Sequence, residues 1–214
     1  MKKVIENIRS QLKWKVQEQQ GVSPEFRIDS NPQRKEHIIY WPAPNSKAGP
    51  PRKIELLHEL IHAQLAEQVH FQFSGNYFAR ESSDKHIHTV AWACRAATDW
   101  FVDAKLMELV PNQERAEIEE HFNLVCRMFQ VGSQQGNIFL LLSGGLIIAQ
   151  AIKYLGVRVQ IDGKLKHVVD AFLSTSPENP SVQTLEKLIN KLLAVYTDLR
   201  VQLVIDSGLE VWEI

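Results

Sequence analysis

The stretch from Met128 to Ile152, MFQVGSQQGNIFLLLSGGLIIAQAI, carries no charged side chain. A chain containing it must bury those residues in a core or place them in a bilayer. Its strongly apolar part, Ile138 to Ala151, falls short of the roughly 20 apolar residues a membrane-spanning helix needs. Polar GSQQGN lies on its N-terminal flank. The segment therefore reads as a helix buried all round, with the Gly144–Gly145 pair permitting close approach of another helix. A membrane anchor over residues 138 to 154 is the weaker reading.

A chain of 214 residues is long enough to bury such a helix within one domain. Apolar residues make up 44% and charged residues 23%, the balance of a soluble globular protein. A formal net charge of -1 gives no reason to expect nucleic acid as a partner. Cys94 and Cys126 are the only cysteines, and they lack the CxxC spacing of a thiolate zinc site. Two thiols make no disulfide framework, so a reducing, cytoplasmic setting is expected. The opening MKKVIENIRSQLKWKVQEQQ never develops the apolar run of a secretory leader. Its Ile5, Ile8, Leu12 and Val16 recur at helical spacing, which predicts one amphipathic helix.

EFRIDS and HIIYWPAP then read as short strands, with turn chemistry in the intervening NPQRK. The segment PAPNSKAGPP, residues 42 to 51, reads as a loop whose Pro50 and Pro51 suit the first turn of a helix. That helix is expected from about Arg52 to His70, with Ile54, Leu57, Ile61 and Leu65 as a buried stripe. FQFSGNYFARESSDKHIH reads as a loop, and a second long helix should cover Thr89 to Leu109, stopped by Pro111. The remainder reads as four or so helices joined near Gly132, Gly156–Gly163 and Ser174–Pro180. The predicted fold is α+β and predominantly helical, with a small β-hairpin or sheet before the motif helix and a helical C-terminal half. Residues 1–111 are expected to form the core, and residues 112–214 a helical part packed on it as a single domain.

Within the first long helix, LLHELIHAQLAE places His58 and His62 four residues apart. Residues so spaced lie one above the other on a helix face, so both imidazoles can reach one metal ion. Glu59, rotated by about 100 degrees from His58, can serve the ion's water without ligating it. HExxH is the pattern of zinc hydrolases: two ligands and a general base. A hydrolytic zinc takes three protein ligands and keeps one position open. Leu65 and Gln68 stand where a metzincin has Gly and His, and no NExxSD follows. An acidic pair does follow, Asp99 and Asp103 in ATDWFVDAKLMELVP, one helical turn apart. A solvated face or a salt bridge with Arg95 is the structural alternative for that pair.

With these residues the sequence resembles the gluzincin-like metallopeptidases, in which HExxH is followed by a second helix bearing an acidic pair. The small cytoplasmic kind, including ImmA/IrrE-like proteins, is the nearest in flavour. The resemblance spans roughly residues 35 to 111, about a third of the chain. It implies Asp99 as third ligand and Asp103 as the carboxylate that fixes the tautomer of a ligand histidine, His58. The sequence departs from the family in having Asp rather than Glu at position 99. Aspartate is shorter, and Ala93, Ala96 and Ala97 would let the two helices approach. The resemblance also implies that HIIYW, as a sheet edge, pairs with an extended substrate. His86 and His88 form an HxH before the second helix. Either is an alternative to Asp99 as ligand, and His88 is a candidate catalytic group that polarises a carbonyl or stabilises an oxyanion. His70 and Tyr77 are weaker candidates, while His37, His121 and His167 read as structural or surface residues.

The function expected is a zinc-dependent peptidase acting on a peptide or protein substrate. His58, His62 and Asp99 would hold Zn2+, and Glu59 would be the general base. The alternative is a regulatory or protein-binding module on a metallopeptidase scaffold with a structural or vestigial metal site.

Overall fold

A computed structural model describes residues 1–43, 52–130 and 137–214. Most of the loop expected at 42–51, with Pro50 and Pro51, and the joint at Gly132 lie outside the described residues. The chain divides into two compact units, Met1–Gly75 with Glu108–Val110, and Asn76–Met107 with Pro111–Ile214. Helix dominates, and a small sheet precedes the motif helix, so the fold is α+β and predominantly helical.

In the first unit, helix α1 (Lys2–Gln11) buries Ile5 and Ile8 and contacts helix α2 (Lys53–Gln68). The predicted single N-terminal helix is cut short. Glu67 of α2 accepts the backbone N–H of Lys13 and of Trp14 at 2.8–2.9 Å. That capture turns the chain out of the helix, and residues Lys15–Gln20 form strand β1 instead. Strands β2 (Arg27–Asn31) and β3 (Glu36–Trp41) follow as the sequence predicts. Asn31 Oδ1 accepts the N–H of Gln33 and Arg34, and Lys35 takes the left-handed conformation that closes the turn. The sheet order is β1-β3-β2, with β1 parallel and β2 antiparallel to β3. HIIYW is therefore the central strand, paired on both sides, and the expectation that it offers a substrate edge is corrected. Ser30 opposes His37 and Ile28 opposes Ile39, so these four buried residues share one face of the sheet.

In the second unit, helix α3 (Asp84–Leu109) is followed at once by α4 (Pro111–Gln130), α5 (Ile138–Gln150), α6 (Gly163–Leu173) and α7 (Val182–Leu193). A π-helical turn, Ala151–Leu155, extends α5 and ends on left-handed Gly156. α5 packs against α4 and α6. A Cβ on Gly144 would lie 2.6 Å from Phe129 of α4, and one on Gly145 would lie 2.3 Å from Val168 of α6. The glycine pair thus admits a helix on each side, as the sequence suggests. Ile138–Leu155 is, among the described residues, the one helical segment long and apolar enough to cross a membrane, and half of it is buried inside the protein. Burial is nearly continuous from Leu141 to Ala151, whereas Phe139 stays exposed beside Trp92.

The C-terminal half is not wholly helical. Strands β4 (Gln202–Asp206) and β5 (Leu209–Glu213) form a hairpin across Ser207 and Gly208, both left-handed. Tyr77 and Ala79, expected in a loop, exchange backbone hydrogen bonds with Trp212 at 2.8 Å and so add to β5.

Candidate metal centre

Leu57, Leu60 and Ile61 of α2 have no exposed surface. They seat the helix, and the side chains of the HELIH motif are carried with it. His62 is buried, while His58 and Glu59 are half-buried. The imidazoles of His58 and His62 meet edge to face with ring centroids 4.8 Å apart. Their Nε2 atoms converge to 3.1 Å.

The turn after α2 sets the tautomer of His62. The Phe73 carbonyl oxygen lies 2.5 Å from His62 Nδ1. A carbonyl can only accept, so Nδ1 carries a proton, and in the neutral ring it is Nε2 that presents the lone pair. Phe73 belongs to a short 3-10 turn, Phe71–Phe73, and its side chain is fully buried. His70 initiates that turn, its ring accepting the Gln72 N–H.

Glu59 is anchored to the sheet. Its Oε2 accepts the backbone N–H of Ile28 at 2.8 Å, which fixes the carboxylate's rotamer. β2 is an edge strand, and this carboxylate takes up one of its donors.

Asp99 and Asp103 lie one turn apart on α3, both half-buried. Trp100 between them is buried and donates its indole N–H to the Thr175 carbonyl at 2.9 Å, which fixes the helix's rotation within the second unit. The side-chain amide of buried Gln150, on α5, donates to Asp103 Oδ2 at 2.5 Å. That partner was not foreseen, because nothing in local spacing joins residues 103 and 150.

His86 and His88 lie in the first turns of α3 rather than before it, and both are exposed. Ser83 explains the earlier start: its hydroxyl accepts the His86 N–H and its carbonyl the Ile87 N–H. Burial pushes the Cys94 thiol up to about 12, so it offers no thiolate at neutral pH.

One histidine passed over in the sequence is central to the first unit. His37 has no exposed surface; its Nδ1 lies 2.6 Å from Ser30 Oγ and its Nε2 lies 2.9 Å from Glu67 Oε1. Burial holds its pKa below the ordinary histidine range, against the opposing pull of Glu67. A buried position on an alternating strand was the available signal, but its partners are remote in sequence.

No family model matches the chain, and neither a curated protein nor a solved structure matches it.

Proposed function

We propose that this protein is a zinc-dependent peptidase in which His58, His62 and Asp99 form the metal-binding group. The observation that carries the reading is the convergence of the two histidine Nε2 atoms, with Nδ1 of His62 tied to a carbonyl. Two nitrogens on a tetrahedral zinc, each bonded at about 2.0–2.1 Å, lie roughly 3.3 Å apart. The 3.1 Å separation fits that requirement closely. Ligand histidines commonly donate their other ring N–H to a carbonyl or carboxylate, as His62 does. The residues therefore fit the ion.

A bound zinc would acidify water and polarise the scissile carbonyl. Glu59, its rotamer fixed by the Ile28 N–H, takes the proton of the attacking water on a carboxylate oxygen and returns it to the leaving amine. Asp99 supplies an anionic oxygen ligand, which with two neutral imidazoles leaves one position open. Imidazole and carboxylate together favour zinc, although nickel and copper accept the same donors. Asp103 lies one turn beyond Asp99 on α3 and is held by the Gln150 amide. His88 precedes Asp99 on the same helix by roughly 16 Å along the axis, too far to stabilise an oxyanion at a metal held by Asp99. Two free cysteines suit a reducing, cytoplasmic setting.

A peptidase assay on the zinc-loaded protein, with Glu59→Gln as the inactive control, tests this function. Hydrolysis that persists unchanged in Glu59→Gln would contradict it.

A further inference from the structure

Four polar side chains are buried together in the first unit, and none belongs to the HExxH motif. Ser30 and His37 are 0% exposed, Ser74 is 5% exposed, and the Glu67 side chain is 5% exposed. Ser74 Oγ lies 2.5 Å from Ser30 Oγ, and the chain continues through His37 to Glu67. Trp14 stacks on the His37 ring, with centroids 5.0 Å apart and planes 16° from parallel.

A neutral imidazole has one donor and one acceptor nitrogen, so the chain takes one direction. The carboxylate of Glu67 receives Nε2–H, His37 Nδ1 receives the Ser30 O–H, and Ser30 receives the Ser74 O–H. Such aligned bonds polarise one another in a low dielectric, and a fully satisfied network is rigid. The order serine, histidine, carboxylate is that of a hydrolase triad. Ser30 and His37 have no exposed surface, however, so no substrate reaches the hydroxyl.

What the chain does reach is Ser74, the residue directly after Phe73. The Phe73 carbonyl is the group that holds Nδ1 of His62. We infer that Glu67, His37, Ser30 and Ser74 form a buried positioning relay that clamps the Phe73–Ser74 backbone and thereby aims His62 Nε2 at the metal. This rests on His62 being a metal ligand. The competing account is that the buried Phe73 ring alone fixes its carbonyl, in which case the relay merely stabilises the fold.

Ser74→Ala removes the last link and leaves Phe73 in place; His37→Gln interrupts the middle. Two readouts are taken on the wild type and on both variants: the 15N shifts of the His62 ring in metal-free protein, and zinc affinity by chelator competition. The relay predicts a pyrrole-type Nδ1 in the wild type, and a mixed tautomer in the variants. It also predicts zinc binding about 10-fold weaker in the variants, at the lower end of the range for groups that support a ligand. Variants with unchanged His62 shifts and unchanged zinc affinity overturn the relay and leave the metal reading standing, even if they are less stable. A wild type that binds no zinc removes both. Should His37→Gln fail to fold, Ser74→Ala decides the matter, since it deletes a single hydroxyl.

Discussion

His62 shows how one hydrogen bond gives a residue type a specific chemical role. Any histidine on α2 could titrate or bind metal through either nitrogen, but the Phe73 carbonyl leaves only Nε2 for a ligand. Glu59 is similarly committed in direction by Ile28. At this scale the account predicts that Glu59→Gln keeps its zinc and loses hydrolysis by about 10²–10⁴-fold, the usual contribution of a general base. Steady-state rates beside metal content on the same sample check it. His37 carries a second residue-scale prediction. Its folded pKa is depressed by burial, so near pH 6 the unfolded chain binds a proton that the folded chain refuses. Its stabilisation is full above the unfolded pKa of about 6.5 and is lost as pH falls through the folded value. Urea midpoints at pH 7.5 and 5.5 should therefore fall with acid in the wild type, with a shallower fall in His37→Gln.

Individual elements differ in how far their own residues determine them. α2 and the β2–β3 hairpin were legible because each carries its own instructions: a buried stripe in one, and alternation around an Asn-initiated turn in the other. β1 was not legible, since Leu12 and Val16 continue a helical period that only Glu67, distant in sequence, interrupts. The β4–β5 hairpin did leave a local sign, QLVID and LEVWE about a Ser-Gly turn, which a helical reading of the C-terminal half overlooked. The start of α3 was likewise marked by Ser83 and missed, which left His86 and His88 in a loop when both belong to the helix. α5 gives the sharpest prediction at this scale. Gly→Ala in a helix gains about 1 kcal/mol of propensity, whereas overpacking a core costs about 1–3 kcal/mol. A Cβ at Gly145 would meet β-branched Val168 at 2.3 Å, so Gly145→Ala is expected to destabilise. Gly144→Ala should cost less, because its neighbour is the far edge of the Phe129 ring. Chemical denaturation of both variants checks the order, and Val168→Ala should relieve the first.

The whole chain comprises two units. The first holds the HELIH motif, the sheet and the relay; the second holds the acidic pair and the helices around α5. Composition and periodicity were enough to read helix dominance, but no local pattern could reveal the Ser30–His37–Glu67 chain or the Gln150 partner of Asp103. Both join residues that only the folded chain brings together. The central claim is that HELIH carries a metal. Its most direct measurement is elemental analysis of protein reconstituted with zinc and then exhaustively dialysed, for the wild type, Glu59→Gln and His62→Ala. The account predicts about one zinc per chain in the first two and loss of that zinc in His62→Ala. A wild type that retains no metal near stoichiometry, or a His62→Ala protein that retains as much as the wild type, would contradict it.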